Sequence, residues 1–213
     1  METASAAGII VVFCTVIVGL GLFWRYVWFF RNPPRDIPPG ECIVSPADGT
    51  VVYVKIVQPG EKVIAIKEGV EARIEDIVKE DICCRKLLIG IFMSPFDVHV
   101  NRVPATGVVT RRDHRPGKFH VASHAEASSE NERMELRIET SQGFPLGLVQ
   151  IAGRMARRIV CYPREGDPVQ RGKRFGMIRF GSRVEMFLPE EVSVSVHPGQ
   201  RVKGGETVMG YFP

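Results

Sequence analysis

Val192-Ser193-Val194-Ser195-Val196-His197-Pro198-Gly199-Gln200-Arg201-Val202-Lys203-Gly204-Gly205-Glu206-Thr207-Val208-Met209-Gly210 decides the fold class. Valine at every second position over 192–196 gives a strand with one buried face. Pro198-Gly199-Gln200 turns the chain, and valines return at 202 and 208. Working outward, Pro168-Val169-Gln170-Arg171-Gly172-Lys173-Arg174-Phe175-Gly176 is a looser copy of the same phrase, which points to one unit used twice.

The rest of the body repeats this texture. Residues 42–44 lead through Ser45-Pro46-Ala47-Asp48-Gly49 into 50–54. That reads as strand, turn and strand, with Asp-Gly as the turn. Residues 63–66, 87–93, 107–110, 134–140, 146–151 and 159–161 also read as strands. Residues 152–158 fit either a short helix or a basic edge. Short strands between Gly, Pro and Asp turns predict a mainly β, β-rich α+β fold, a barrel or sandwich. The wording V-x-x-G-x-x-V-x-x-G-E-x-V resembles the hammerhead barrels of lipoyl and biotinyl carrier domains, so a duplicated hybrid-barrel unit is expected.

Ahead of this body lies a different kind of sequence. No charge occurs from Thr3 to Trp24, and 19 consecutive residues from Ala6 to Trp24 are almost wholly apolar, the length that crosses a bilayer. Arg25, Tyr26, Trp28, Phe29, Phe30 and Arg31 follow, the mixture that a membrane interface selects. The start carries Glu2 and no Lys or Arg, unlike a secretory signal. The segment reads as a retained transmembrane helix, or as a kinked element with Tyr26–Phe30 in the interface. Arginines on its C-terminal side put the body on the cytoplasmic side of the cell membrane. Asn32-Pro33-Pro34-Arg35-Asp36-Ile37-Pro38-Pro39-Gly40 is neither helix nor central strand. It separates an anchor and interfacial segment, 1–35, from a globular domain, 36–213.

The chain has 213 residues, a net charge of +4 and five cysteines without a C-x-x-C pair. The odd cysteine count and the missing C-x-x-C pair argue against a disulfide framework or a zinc cluster and suit a reducing compartment. Cys83-Cys84 carries no readable role. His114, His120 and His124 lack compact metal-ligand spacing, so no metal is assigned. The loop 114–133 reads as a substrate-side loop or a solvated insertion. Arg154-Met155-Ala156-Arg157-Arg158 suits lipid phosphate or solvent, and lacks the aromatics of a nucleic-acid surface.

Three residues stand out chemically. His99 follows an apolar strand and Ser94-Pro95, a place from which a general base can enter a cleft. Asp48, a turn residue, could orient such a base. Ser182 follows Gly181 at the junction of two strand-like runs.

Together these phrases resemble the phosphatidylserine decarboxylase proenzymes, in their short membrane-associated branch. The matching words are Phe29-Phe30-Arg31-Asn32-Pro33-Pro34-Arg35, Ser45-Pro46-Ala47-Asp48-Gly49-Thr50-Val51, Ser94-Pro95-Phe96-Asp97-Val98-His99-Val100-Asn101-Arg102, Ser129-Glu130-Asn131-Glu132-Arg133 and Gly172 to Arg183, in the family's order. The resemblance implies a chain that cuts itself between Gly181 and Ser182 into a β chain, 1–181, and an α chain, 182–213. Ser182 becomes a pyruvoyl group, which forms a Schiff base with the serine amine of the lipid. Phosphatidylserine then loses CO2 to become phosphatidylethanolamine. His99 is the implied base and Asp48 its orienting partner.

The implied partners are the membrane phospholipid and the two pieces of the precursor, with no nucleic acid; homo-oligomerisation stays open. The longer branch has His-x-x-His where this chain has His99 and Arg102, and Leu-Gly-Ser-Thr where it has Phe-Gly-Ser-Arg. Arg102 and Arg183 thereby become candidates for binding the lipid headgroup. Two other readings stay open on the residues alone: an uncut carrier or interaction barrel, and a membrane-bound serine hydrolase using Ser182, His99 and Asp48.

Overall fold

A computed structural model describes residues 2–58, 63–67, 70–74, 85–117, 132–153, 158–179 and 182–213. Gly181, Cys83, Cys84, His120, His124 and most of the 114–133 and 152–158 stretches lie outside the described residues. Helix α1, Glu2–Phe23, runs into a π-helical turn, Trp24–Trp28. The stretch Gly8–Trp28 is long and apolar enough to cross a membrane. Its apolar side chains point outward, Ile9, Phe13 and Leu20 all being more than half exposed. Burial of such surface by lipid is worth roughly 25 cal/mol per Å2.

The body is built from strands. They are β1 Ile43–Val44, β2 Gly49–Val57, β3 Val63–Lys67, β4 Val70–Ile74, β5 Lys86–Met93, β6 Val100–Arg102, β7 Gly107–Arg115 and β8 Arg133–Thr140. After these come β9 Pro145–Ala152, β10 Ile159–Cys161, β11 Pro168–Val169, β12 Arg174–Ile178, β13 Ser182–Pro189, β14 Ser193–Val194, β15 Arg201–Val202 and β16 Val208–Tyr211. Eight form a curled antiparallel sheet in the order β11-β7-β8-β9-β13-β5-β2-β15. Two three-stranded sheets, β1-β16-β14 and β10-β12-β6, complete the body beside the β3-β4 hairpin.

The repeated phrase has a structural counterpart. In its first copy β11 pairs with β7 at one edge of the large sheet, and β12 then enters a small sheet. In the second copy β15 pairs with β2 at the opposite edge, and β16 enters the other small sheet. Each copy turns on a glycine of positive φ, Gly172 at 76° and Gly205 at 82°. A Cβ on Gly172 would lie 2.3 Å from Ile37, and one on Gly205 2.8 Å from Arg102, so glycine serves both the left-handed backbone and the close approach.

The strand, turn and strand read over 42–54 appear as β1 and β2, which pair with other strands and not with each other: β1 with β16, and β2 with β5 and β15. The Asp-Gly step redirects the chain between two sheets.

Strand β13 is the middle of the structure. It pairs with β9 on one side and β5 on the other. Val184, Met186 and Leu188 face the main core with Ile89, Ile91, Leu148 and Ile138. By the two-residue period of a strand, Ser182 shares their face, and Arg183 and Glu185 share the other.

Candidate functional site

Ser182 is the first residue of β13, opposite Met93 on β5 and Ala152 on β9. It is wholly buried. Its Oγ donates to Met93 Sδ at 3.4 Å, a weak acceptor that leaves the hydroxyl lightly held.

His99 lies just before β6 and is also wholly buried. Its carbonyl accepts from the amide of Ile178 at 3.3 Å, which brings it alongside the residues leading to Ser182. Nδ1 lies 3.0 Å from the carbonyl oxygen of Asp97. A carbonyl only accepts, so Nδ1 carries the proton and Nε2 keeps its lone pair. Among the described residues Nε2 has no partner. Burial pushes the imidazole down to about 4, against the upward pull of the Asp97 carbonyl. At neutral pH it is an uncharged base.

The Ser94–Asp97 turn holds this arrangement. The Asp97 carboxylate accepts from the Ser94 amide and hydroxyl, both at 2.8 Å, and from Arg201 at 2.5 Å. Burial pushes the Asp97 carboxyl pKa up, but the Arg201 and Ser94 hydrogen bonds outweigh burial and hold it below its ordinary value. Phe29 covers the imidazole at a ring separation of 4.3 Å. It belongs to a small cluster with Val98, Val100 and Met177. Phe29 follows directly on the π-helical turn, so the apolar N-terminal helix ends against the histidine. Phe96, 71% exposed, stands edge-on to Trp24 at 6.4 Å. Arg31 donates to the carbonyls of Phe96 and Trp28 at 2.6 and 2.8 Å, fixing loop to helix end. Arg179 lies over the Phe30 ring.

Three sequence candidates are not brought to Ser182. The Asp48 carboxylate pairs with Arg35 at 2.9 Å and accepts from the Gly204 amide at 2.8 Å, so these and not His99 are its partners here. The group on His99 Nδ1 is the Asp97 carbonyl, part of the phrase that marked His99. Arg102 donates to Gly172 O, Asn32 Oδ1 and Pro33 O, stapling the connector to the body. Arg183 points to the opposite face of β13, where it pairs with Glu185 at 3.0 Å beneath Tyr53. Burial pushes the Tyr53 phenol well above its ordinary value, Arg183 pulls it down, and Glu185 adds to the rise.

Two polar residues were missed. Asn101 and Gln150 are almost wholly buried, and Gln150 Nε2 donates to Asn101 Oδ1 at 2.7 Å. Gln150 interrupts the apolar alternation of Leu146, Leu148 and Ala152, which is a readable signal in retrospect.

Comparison with known proteins agrees with this reading. The family model described as phosphatidylserine decarboxylase matches residues 22–210. A phosphatidylserine decarboxylase proenzyme of Syntrophus aciditrophicus is 46% identical over 186 residues, covering 87% of this chain and 78% of the relative. Its namesake from Geotalea uraniireducens is 42% identical over 214 residues, covering 94% and 91%. That of Trichlorobacter lovleyi is 47% identical over 183 residues, covering 85% and 74%.

Proposed function

The chain belongs to the phosphatidylserine decarboxylase family, and we propose that it is made as a precursor that cuts itself at Gly181–Ser182. It then decarboxylates phosphatidylserine at the cytoplasmic face of the membrane. The observation that carries the self-cutting reading is the burial of Ser182 on the central strand of the sheet. In the uncut chain the electrophile nearest a buried serine is its own preceding carbonyl, and the lipid has to reach position 182 only after the cut. A carrier barrel needs a modifiable lysine at the turn, and Gly181-Ser182-Arg183 has none.

In the proposed sequence Ser182 Oγ adds to the Gly181 carbonyl carbon as a base takes its proton. The amide nitrogen leaves with a proton, and an ester remains. Loss of the Ser182 Cα proton expels the Gly181 carboxylate. Water then displaces the nitrogen as ammonia, leaving a ketone. His99 Nε2 is the proposed base, oriented by the Asp97 carbonyl.

The surroundings of Ser182 fit a small uncharged pyruvoyl group, for they are buried and lined by Met93 and Ala152. That group supplies a ketone for the substrate amine and an electron sink for the carbanion left by CO2. The chain does the rest. Phe29 keeps water from His99, His99 returns a proton to the substrate carbon, and β13 is gripped by strands on both sides. The ion pairs Arg35–Glu206 and Asp97–Arg201 each join one piece to the other across the cut.

The test is release of CO2 from phosphatidylserine labelled in the serine carboxyl. The wild-type protein in detergent releases it, and Ser182→Ala stays whole and inactive. An active Ser182→Ala protein would overturn the assignment.

A further inference from the structure

Beside Ser182 the core holds polar groups that packing does not require. Met93 Sδ accepts from Ser182 Oγ at 3.4 Å and from Asn101 Nδ2 at 3.8 Å. Asn101 Oδ1 accepts from Gln150 Nε2. This chain of contacts fixes the amide orientations, since a thioether presents only an acceptor to the two donors flanking it. Gln150 Oε1 is buried and unpartnered among the described residues. Room has been made for the pair as well. Gly176 stands opposite Asn101 in register, and a Cβ there would lie 2.9 Å from Gln150 Nε2 and 2.3 Å from Val160 O.

Five strands therefore converge on a polar pocket in an apolar core. A buried polar group left unsatisfied costs about 1–3 kcal/mol, and unpaired buried groups call for an explanation beyond packing. The sulfur holds both donors weakly, so either can turn to a stronger acceptor at small cost.

Building on the self-cutting reading, we infer that Asn101 and Gln150 are a further part of the self-processing site. Asn101 Nδ2 donates to the oxyanion formed when Ser182 Oγ adds to the preceding carbonyl, and Gln150 is a positioning residue that holds Asn101 in that orientation. As the Oγ–C bond forms, the carbonyl pair moves onto oxygen, and the hydroxyl proton passes to the base. Collapse breaks the C–N bond, and the freed amine takes a proton. Preorganised donors of this kind are worth about 100-fold or more in rate.

The experiment follows the full-length chain in detergent after a short cell-free synthesis pulse, with and without hydroxylamine, which cleaves the ester but not the amide. Asn101→Asp keeps the shape and removes the donor. It is expected to slow the cut at least 100-fold and to yield no hydroxylamine-released fragment, because the ester never forms. Its fold is checked by melting in a Ser182→Ala background. Gln150→Met, which keeps Asn101 but removes its anchor, is expected to slow the cut about tenfold. Cutting of Asn101→Asp within threefold of wild type, release of its fragment by hydroxylamine, or a wild-type rate in Gln150→Met overturns the inference. A wild-type chain that stays whole would instead overturn the self-cutting reading on which it rests.

Discussion

Lowering the pH separates a buried base from an ordinary one. His99 is wholly buried, and its imidazole sits at about 4. At pH 5 such a group is about 90% uncharged, whereas one at the usual 6.5 is about 3% uncharged. The self-cutting rate at pH 5 should therefore stay within twofold of its value at pH 8, where an exposed histidine would lose about 30-fold. Stability moves in the same window. The folded value lies below the unfolded one, so the unfolded chain takes up the proton first as pH falls. The contribution of neutral His99 is complete above pH 6.5 and is lost between 6.5 and 4, about 3 kcal/mol in all.

The assay exchanges freshly made precursor into buffers from pH 4.5 to 8 and follows the fragments by mass. His99→Gln should leave the chain whole throughout. A rate that falls with a midpoint near 6.5 would refute the buried-base argument.

Other residues give sharper contrasts between binding and structure. Asp48→Asn removes the charge from a buried pair with Arg35 and should cost about 3 kcal/mol in denaturant melts, while the pH midpoint of cutting stays in place. Arg183→Met leaves the buried Glu185 carboxylate with the Tyr53 hydroxyl but without its counter-charge and should lower stability by about 3 kcal/mol with KM for the lipid unchanged; a tenfold higher KM at wild-type stability would return Arg183 to the headgroup. Phe96→Asp places a charge where an exposed aromatic adjoins the apolar helix, and should cut kcat/KM about tenfold on bilayer substrate. Activity on a water-soluble short-chain phosphatidylserine should be unaffected, and equal losses on both would contradict a membrane role for this loop.

The sequence was most legible where backbone periodicity is local. Strands read at 63–66, 134–140 and 159–161 appear within a residue or two as β3, β8 and β10. The phrase shared by 168–176 and the chain's end reappears as paired edge strands. Partner choice was less legible, because pairing across more than 100 residues leaves no local trace. Thus β1 and β2 went to different sheets.

The site behaved in the same way. His99 and Ser182 were singled out from their neighbours in sequence, and the fold buries both, but contacts set by side-chain direction were not legible. Arg183 follows Ser182 and so must face the other side of the strand, a consequence of the two-residue period that a motif reading passed over. Asp48 carries the right chemistry to orient a histidine, but Arg35 and Gly204 hold it. Asn101 and Gln150 lie 49 residues apart, and only the fold joins them.

The central claim is that this chain is one precursor cut into two pieces, the second carrying its own electrophile. The mass of the purified, active protein tests it most directly. The account predicts a piece ending at Gly181 and a 32-residue piece beginning at position 182, its N-terminus blocked and gaining two hydrogens on borohydride treatment. A single 213-residue chain with Ser182 intact, in a preparation that still releases CO2, would contradict it.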